Sequence, residues 1–189
     1  MTTVLKQFIT NPRTTGALWA SSSHLSRTMT LNIGIESAKV VVELGPGTGA
    51  ITEHILPAIS PNTCFFAVEL NKEMLKVFEN RFPETPIYHD SASNLPSLLD
   101  KKGVPAADVV ISGLPWAAFP SGLQDEILDA ILASLAKKGF FTTFAYLQGL
   151  LLPSAQKFSK KLKRHFSRVE KSPVVWRNIP PAFVYRCQK

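Results

Sequence analysis

Residues 41–49, VVELGPGTG, constrain the fold more than any other part of the chain. An apolar run with Glu43 near its end leads into glycines at alternate positions, Gly45, Gly47 and Gly49. A helical pattern of apolar residues begins directly afterwards. Glycine adopts positive φ without strain and lets a ligand approach the backbone closely, and the first turn of a helix offers unpaired N–H groups. The segment therefore predicts a strand, a tight turn and a helix around a small-molecule site.

Strand and helix patterns alternate along the rest of the chain. This order is typical of an α/β fold with a doubly wound, Rossmann-like sheet, here seven-stranded and closed by an antiparallel pair, in a single domain over 1–189. Amphipathic helices are expected in the N-terminal segment 1–35, over 4–9 and after the serines 21–23. Strands are predicted over 40–44, 64–70, 87–89, 108–112, 139–146, 169–176 and 182–187, and later helices over 49–58, 72–81, 123–135 and 154–166.

The net charge of +7 is unevenly distributed along the 189 residues. Residues 1–35 carry +3 and residues 157–168 carry +6, which leaves −2 for the remainder. Basic segments beside a nearly neutral body fit an anionic partner, either phospholipid headgroups or nucleic acid, although a solvated lysine-rich helix face would look the same.

Cysteine usage and hydropathy indicate the cellular compartment in which the protein is expected to work. Cys64 and Cys187 lack metal-ligand spacing and indicate a reducing compartment with no disulfide framework, and the scattered histidines give no reason to expect a metal. No signal peptide and no apolar run of about 20 residues is evident. We therefore expect a cytoplasmic protein.

Three acidic residues follow successive predicted strands, where ligands of doubly wound sheets bind. A carboxylate such as Glu69 after the second strand can accept hydrogen bonds from ribose hydroxyls, which suits NAD as well as S-adenosylmethionine. Alternatively, Glu69 binds no ligand and only precedes Asn71, which would cap the next helix. The GxGxG spacing led by Glu43 differs from the dinucleotide pattern GxGxxG. It resembles motif I of class I S-adenosylmethionine-dependent methyltransferases, whose adenine site Asp90 and Ser91 also resemble.

The resemblance implies S-adenosylmethionine as cofactor, with S-adenosylhomocysteine as product. The cofactor-binding residues that it implies are Glu43, Gly45, Gly47, Gly49, Glu69, Leu70, Asp90, Ser91 and Ser112.

The segment SGLPW after the fourth strand resembles the NLPY or NPPY motif of amino-methylating enzymes. Gly113 stands where those enzymes carry Asn, so the amide that holds a planar nucleobase is missing, whereas Trp116 keeps the aromatic position. An alkylamine held by cation–π attraction against Trp116, Phe119 and Trp19 fits this change better, and core packing is the other interpretation of Trp116. The expected catalytic residues are Gly113, Leu114, Pro115, Trp116 and Tyr185.

Four segments together resemble the small soluble bacterial phosphatidylethanolamine N-methyltransferases, which are related in sequence to rRNA adenine dimethylases: NPRTTGA…SSS, VVELGPGTG, SGLPW and NIPPA…YR. The resemblance implies a peripheral enzyme on the inner face of the membrane, docked through its N-terminal helix and basic segments. It also implies that Arg177, Asn178 and Tyr185 lie near the lipid headgroup, with Arg177 as a ligand for phosphate.

The expected reaction is methyl transfer from S-adenosylmethionine to the amine of an aminolipid, phosphatidylethanolamine first and ornithine lipid second. Tyr185, His24 or water could remove the amine proton. Adenine-N6 dimethylation of rRNA remains an alternative, although a C-terminal RNA-binding domain would have little room. A non-catalytic module that binds S-adenosylmethionine or lipid is another.

Overall fold

The computed structural model describes residues 22–189, which contain one seven-stranded sheet. The strand order is β3-β2-β1-β4-β5-β7-β6, with β1 to β5 parallel and β7 antiparallel to both β5 and β6. The strands are β1 (Val40–Leu44), β2 (Cys64–Glu69), β3 (Ile87–His89), β4 (Ala107–Ser112), β5 (Leu135–Tyr146), β6 (Arg168–Lys171) and β7 (Ala182–Gln188). The α-helices are α1 (Ser23–Thr30), α2 (Thr52–Ile55), α3 (Lys72–Arg81), α4 (Leu95–Lys102), α5 (Ser121–Ser134) and α6 (Pro153–His165).

The central strands are mostly apolar and lie buried, because both faces of the sheet are covered. Alternate residues enter two cores, as with Val41 on one face and Val42 on the other. Helices α4, α5 and α6 contribute to the core of Val42, and α1 and α2 contribute to that of Val41. The predicted Rossmann-like fold with seven strands is confirmed.

Four elements differ from the sequence prediction. Strand β5 begins at Leu135, four residues before its predicted start. The helix predicted over 49–58 is only α2, because the backbone is still turning with positive φ at Gly49. The strand predicted over 169–176 ends at Lys171, and a loop leads from there to β7. Helix α4 was not predicted because it has eight residues and carries Pro96, which its first turn tolerates.

Helix α1 begins where its N-cap was predicted. The Ser22 side chain accepts a hydrogen bond from the Leu25 amide, and the guanidinium of Arg186 on β7 donates to the backbone near the end of the helix. Leu25 and Met29 are fully buried against the sheet, so the apolar face of α1 forms core and is not free to dock on a surface. The helix expected over 4–9 lies outside the described residues, as does Trp19.

Candidate active site at the carboxyl edge of the sheet

The glycine turn after β1 has the backbone conformation that its sequence predicts. Gly45, Gly47 and Gly49 all have positive φ, at 67°, 57° and 82°. A Cβ on Gly45 would lie 2.7 Å from the Leu114 side chain, and one on Gly49 would collide with the ring of Phe82. A Cβ on Gly47 would meet nothing within 4 Å. The turn is therefore packed on both sides and open in the middle.

Glu43 is buried directly behind this turn. Its Oε2 accepts a hydrogen bond of 2.6 Å from Thr52 Oγ1, but nothing within residues 22–189 donates to its Oε1. Burial, together with a smaller effect of the nearby Glu69, raises the pKa of Glu43 to about 8 against the opposing effect of the Thr52 hydrogen bond. A buried carboxyl oxygen without a hydrogen-bond partner is costly to keep.

Glu69 is the last residue of β2, and its side chain hydrogen bonds to the glycine turn. Its Oε2 accepts a hydrogen bond of 3.1 Å from the Gly47 amide and its Oε1 one of 2.8 Å from the Asn71 amide. Burial raises the pKa of Glu69, whereas these N–H donors lower it. Asn71 also caps α3, accepting from the amides of Glu73 and Met74. Glu69 therefore lies beside the glycine turn, as expected of a site residue, and also precedes the helix cap at Asn71. Its two possible roles do not exclude each other.

Asp90 follows β3, next to the end of β2. Its Oδ1 accepts hydrogen bonds from the Ser91 amide at 2.7 Å and from Asn94 Nδ2 at 2.6 Å, and its own amide donates to the Glu69 carbonyl. The neighbouring His89 hydrogen bonds through Nε2 to the Leu70 carbonyl. The three predicted carboxylates thus stand at the carboxyl ends of three adjacent strands.

The segment after β4 lies directly against the glycine turn. The Gly113 amide donates to the Leu44 carbonyl at 2.8 Å, and a Cβ on Gly113 would lie 2.5 Å from the carbonyl oxygen of Gly45. Ser112 is buried, and its Oγ accepts from Trp116 Nε1 at 3.1 Å and from the Leu114 amide at 3.3 Å. Only glycine fits at position 113 while the turn keeps this shape.

Trp116 lies in the core and is 2% exposed. Its ring stacks on Phe158 of α6 with centroids 4.4 Å apart, and Phe119, which is also buried, meets it edge-on. The expected aromatic wall of Trp116 and Phe119 is therefore not exposed in this structure. Both rings instead pack in the core next to the loop that carries Gly113 and Pro115.

Gln124 on α5 holds the same loop, although the sequence analysis did not single it out. It is fully buried, and its Nε2 donates to the carbonyls of Trp116 at 2.8 Å and Ser154 at 3.3 Å. Ser154 Oγ in turn donates to the Ala117 carbonyl. A lone polar residue on the apolar face of a predicted helix was the available signal.

The residues expected near the headgroup have different surroundings. Tyr185 is buried, and burial raises its pKa against a hydrogen bond with Ser159, so the phenol is a poor candidate for a base. Asn178 is also buried, because its Oδ1 accepts from the Ser22 amide and its Nδ2 donates to the Pro180 carbonyl. Arg177 alone of these three is exposed, with Nη1 3.2 Å from His24 Nε2.

The burial of Trp116 predicts a moderate loss of stability on substitution. We expect Trp116→Phe to lower the free energy of unfolding by about 1–2 kcal/mol, because it leaves a void beside Phe158 and removes the donor to Ser112. Trp176→Phe at an exposed tryptophan should change it by less than about 0.5 kcal/mol. Urea unfolding of both variants checks this, and equal midpoints would contradict the assigned packing.

Residues 22–189 contain no cluster of three or more metal-ligating side chains. They also contain no helix long and apolar enough to cross a membrane.

Comparison with known proteins identifies the family. No family profile matches the chain. An ornithine lipid N-methyltransferase from Singulisphaera acidiphila is 30% identical over 187 residues, which cover 97% of this chain and 93% of the relative. The chain belongs to the class I S-adenosylmethionine-dependent methyltransferases. A ribosomal RNA small subunit methyltransferase from Arabidopsis thaliana is 31% identical over 83 residues, which cover 44% of this chain and only 22% of that protein.

Solved structures agree with this methyltransferase fold. An O-methyltransferase from Bacillus cereus, in complex with SAH, superposes with a TM-score of 0.71 at 11% identity and covers 100% of this chain and 92% of its own. An O-methyltransferase of Streptomyces achromogenes involved in tomaymycin synthesis, in complex with SAM, gives 0.69 at 15% identity and covers 100% and 91%. The expectations of an enzyme and of S-adenosylmethionine as its cofactor are confirmed.

Proposed function

We propose that this methyltransferase transfers methyl groups from S-adenosylmethionine to the amine of an aminolipid headgroup at a membrane surface. The observation that carries the proposal is the similarity over nearly the whole chain to an ornithine lipid N-methyltransferase. The protein's own chemistry agrees with it, because the carboxyl edge of the sheet suits S-adenosylmethionine and the loop after β4 suits a small amine better than a nucleobase.

The carboxyl edge of the sheet suits the cofactor. Oε1 of Glu43 lacks a donor among the described residues, and the cofactor's ammonium group could supply one. Glu69 would accept from the ribose hydroxyls, and Asp90 with Ser91 would bind the adenine amino group. The open space at Gly47 leaves room for the ligand. Bound there, S-adenosylmethionine supplies an electrophilic methyl group on a sulfonium.

The tight contact of Gly113 supports an alkylamine acceptor. An Asn at this position would bring its Cβ to 2.5 Å from the Gly45 carbonyl oxygen, so the amide that holds a planar base cannot be added without moving the glycine turn. The carbonyls of Leu114 and Pro115 already accept from the amides of Trp116 and Ala118. The amine would therefore use the second lone pairs of these carbonyls or the carbonyl of Gly113. Phosphatidylethanolamine and ornithine lipid both offer a primary amine, and we propose the former as the first substrate to test.

The protein's contribution to the reaction is orientation of the amine and exclusion of water. A protonated amine must first lose its proton. Tyr185 is buried with its hydroxyl bonded to Ser159, and His24 faces the guanidinium of Arg177 through Nε2. We therefore propose that the proton leaves to water before the amine reaches the loop.

Methylation of rRNA adenine is the second candidate function, supported by the partial match to the ribosomal RNA methyltransferase. That match leaves most of the plant protein uncovered, and Gly113 argues against an adenine site of the NLPY kind.

Labelled S-adenosylmethionine distinguishes these functions. We expect the purified protein to transfer label to vesicles of phosphatidylglycerol that contain phosphatidylethanolamine or ornithine lipid, and not to an rRNA fragment. Asp90→Ala should lower the rate by at least about tenfold through loss of cofactor contacts. Asp100→Ala, at an exposed position of α4, should leave it unchanged. Label in the rRNA alone, or cofactor binding without transfer to any amine, would overturn the proposal.

A further inference from the structure

Two loops at the carboxyl edge of the sheet expose large apolar side chains. Residues 147–152, between β5 and α6, expose Leu151 at 83% and Leu152 at 48%. Residues 172–181, between β6 and β7, expose Trp176 at 71% and Ile179 at 73%. We call these four side chains the apolar tips. Exposed apolar residues gathered in one region indicate a contact surface, whereas single ones do not.

Backbone contacts place the two loops side by side. Tyr146 at the end of β5 pairs with Ala182 at the start of β7, so both loops leave the sheet at the same point. The Leu147 amide donates to the Pro181 carbonyl at 2.9 Å, and Val175 forms an isolated bridge with Ala182. The apolar tips therefore belong to one edge of the molecule.

The first loop also rests on the loop that carries Gly113. A Cβ on Gly149 would touch the Ala117 side chain at 4.0 Å, and Ser154 Oγ donates to the Ala117 carbonyl at 2.5 Å. We call residues 113–118 the acceptor loop, because the proposed headgroup would bind there. A surface that meets the apolar tips thus lies next to the acceptor loop.

The charge around the apolar tips is positive. Residues 147–189 contain ten Lys or Arg and a single acid, Glu170, which pairs with Arg168. Arg177 lies between Trp176 and Ile179 in the sequence, and Lys157 and Lys160 are exposed on the first turns of α6, whose apolar side chains are buried. Apolar tips beside exposed cations complement an anionic lipid surface, where tryptophan favours the interfacial layer.

We propose that the apolar tips insert into the interfacial layer of an anionic membrane and hold the acceptor loop against the headgroups. This inference rests on the proposed aminolipid function, because that function supplies the reason to reach a bilayer. It assigns docking to the loops 147–152 and 172–181, whereas the sequence analysis assigned it to the N-terminal helix and the basic segments.

Vesicle sedimentation without S-adenosylmethionine tests insertion separately from catalysis. The full chain is mixed with vesicles of phosphatidylglycerol and phosphatidylcholine, which contain no amine acceptor. We expect the double variant Leu151→Ser, Leu152→Ser and the single variant Trp176→Ser each to bind about tenfold more weakly. Val77→Ser removes an exposed apolar side chain from α3 and is the matched control, for which we expect unchanged binding. Retained cofactor affinity shows that the variants are folded.

Two further measurements decide whether a bilayer is the occupant of the apolar tips. Emission attributable to Trp176, taken as the difference from Trp176→Phe, should be quenched by acrylamide in solution and protected when vesicles are added. Unchanged vesicle binding by both tip variants, or a Trp176 already protected in solution by another segment or a second copy, would overturn the proposal. The proposal would also be overturned if the tip variants bound an rRNA fragment more weakly than wild type but bound vesicles equally well. If instead the apolar tips insert but wild type methylates no aminolipid, only the proposed function fails.

Discussion

Gly113→Ala should lower methyl transfer by at least about 100-fold, because the added Cβ would lie 2.5 Å from the Gly45 carbonyl oxygen. The Gly45 oxygen belongs to the backbone and the backbone fixes the position of the Cβ, so neither atom can rotate away. The glycine turn must therefore shift. This shift would disturb the open space at Gly47 and the hydrogen bond from the Gly47 amide to Glu69. We expect a weaker affinity for S-adenosylmethionine and a loss of about 1–3 kcal/mol in the free energy of unfolding. Calorimetric titration and urea unfolding measure the two effects.

Gly122→Ala is the matched control for this variant. Gly122 lies in α5, and a Cβ there would meet nothing within 4 Å. Alanine favours the helix by about 0.5–1 kcal/mol relative to glycine, so this variant should be slightly more stable and equally active. If Gly113→Ala kept full activity and cofactor affinity, the close packing of the acceptor loop on the glycine turn would be wrong.

Glu43→Gln should weaken cofactor binding by at least about tenfold and remove a proton exchange that accompanies it. With the pKa of Glu43 at about 8, the carboxyl is mostly protonated in the free protein near pH 7. An ammonium group at its Oε1 would favour the ionised form, so binding should release a proton in wild type and none in the variant. Calorimetry in two buffers of different ionisation enthalpy counts that proton. Equal affinity and equal proton release in both proteins would place the ammonium group elsewhere.

The same substitution should change how stability depends on pH. The folded pKa of Glu43, about 8, lies above its ordinary value of 4.5, so the folded protein holds a proton that the unfolded chain has released. Stability from this group is therefore complete below pH 4.5 and declines as pH rises towards 8, by up to about 1.4 kcal/mol per pH unit. Urea unfolding across this range should show a shallower decline for Glu43→Gln, whereas Glu84→Gln at an exposed position should follow wild type.

Local patterns were sufficient for most of the sheet, for the glycine turn and for the carboxylates at the ends of β1, β2 and β3. The strand β1 follows from its run of valines, and the turn after it follows from its alternating glycines. Both depend on the preferences of adjacent residues, so the periodicity and spacing of the sequence predict them. The cap at Asn71 and the ends of β2 and β3 follow for the same reason. Helix α4 was not predicted, because it is short and contains Pro96, so its helical period of apolar residues is hard to recognise.

The acceptor side could not be worked out in this way. An aromatic residue after a strand end can face solvent or core, and the stacking of Phe158 from α6 decides it for Trp116. Tyr185 and Asn178 were likewise taken as headgroup residues, although the packing of α6 on β7 and the hydrogen bond to Ser22 bury them. The supporting role of Gln124 depends on two loops that are distant in the sequence.

The amino-acid sequence by itself determined the strand–turn–helix with its three glycines, the row of carboxylates at successive strand ends and the missing Asn at Gly113. Tertiary structure alone decided that only glycine fits at position 113, which aromatic rings are buried and where the exposed apolar side chains gather. The physical reason is that conformational preference and hydrophobic period are properties of adjacent residues. The contact of Gly113 with Gly45, in contrast, is a property of two strands that become neighbours only in the folded sheet.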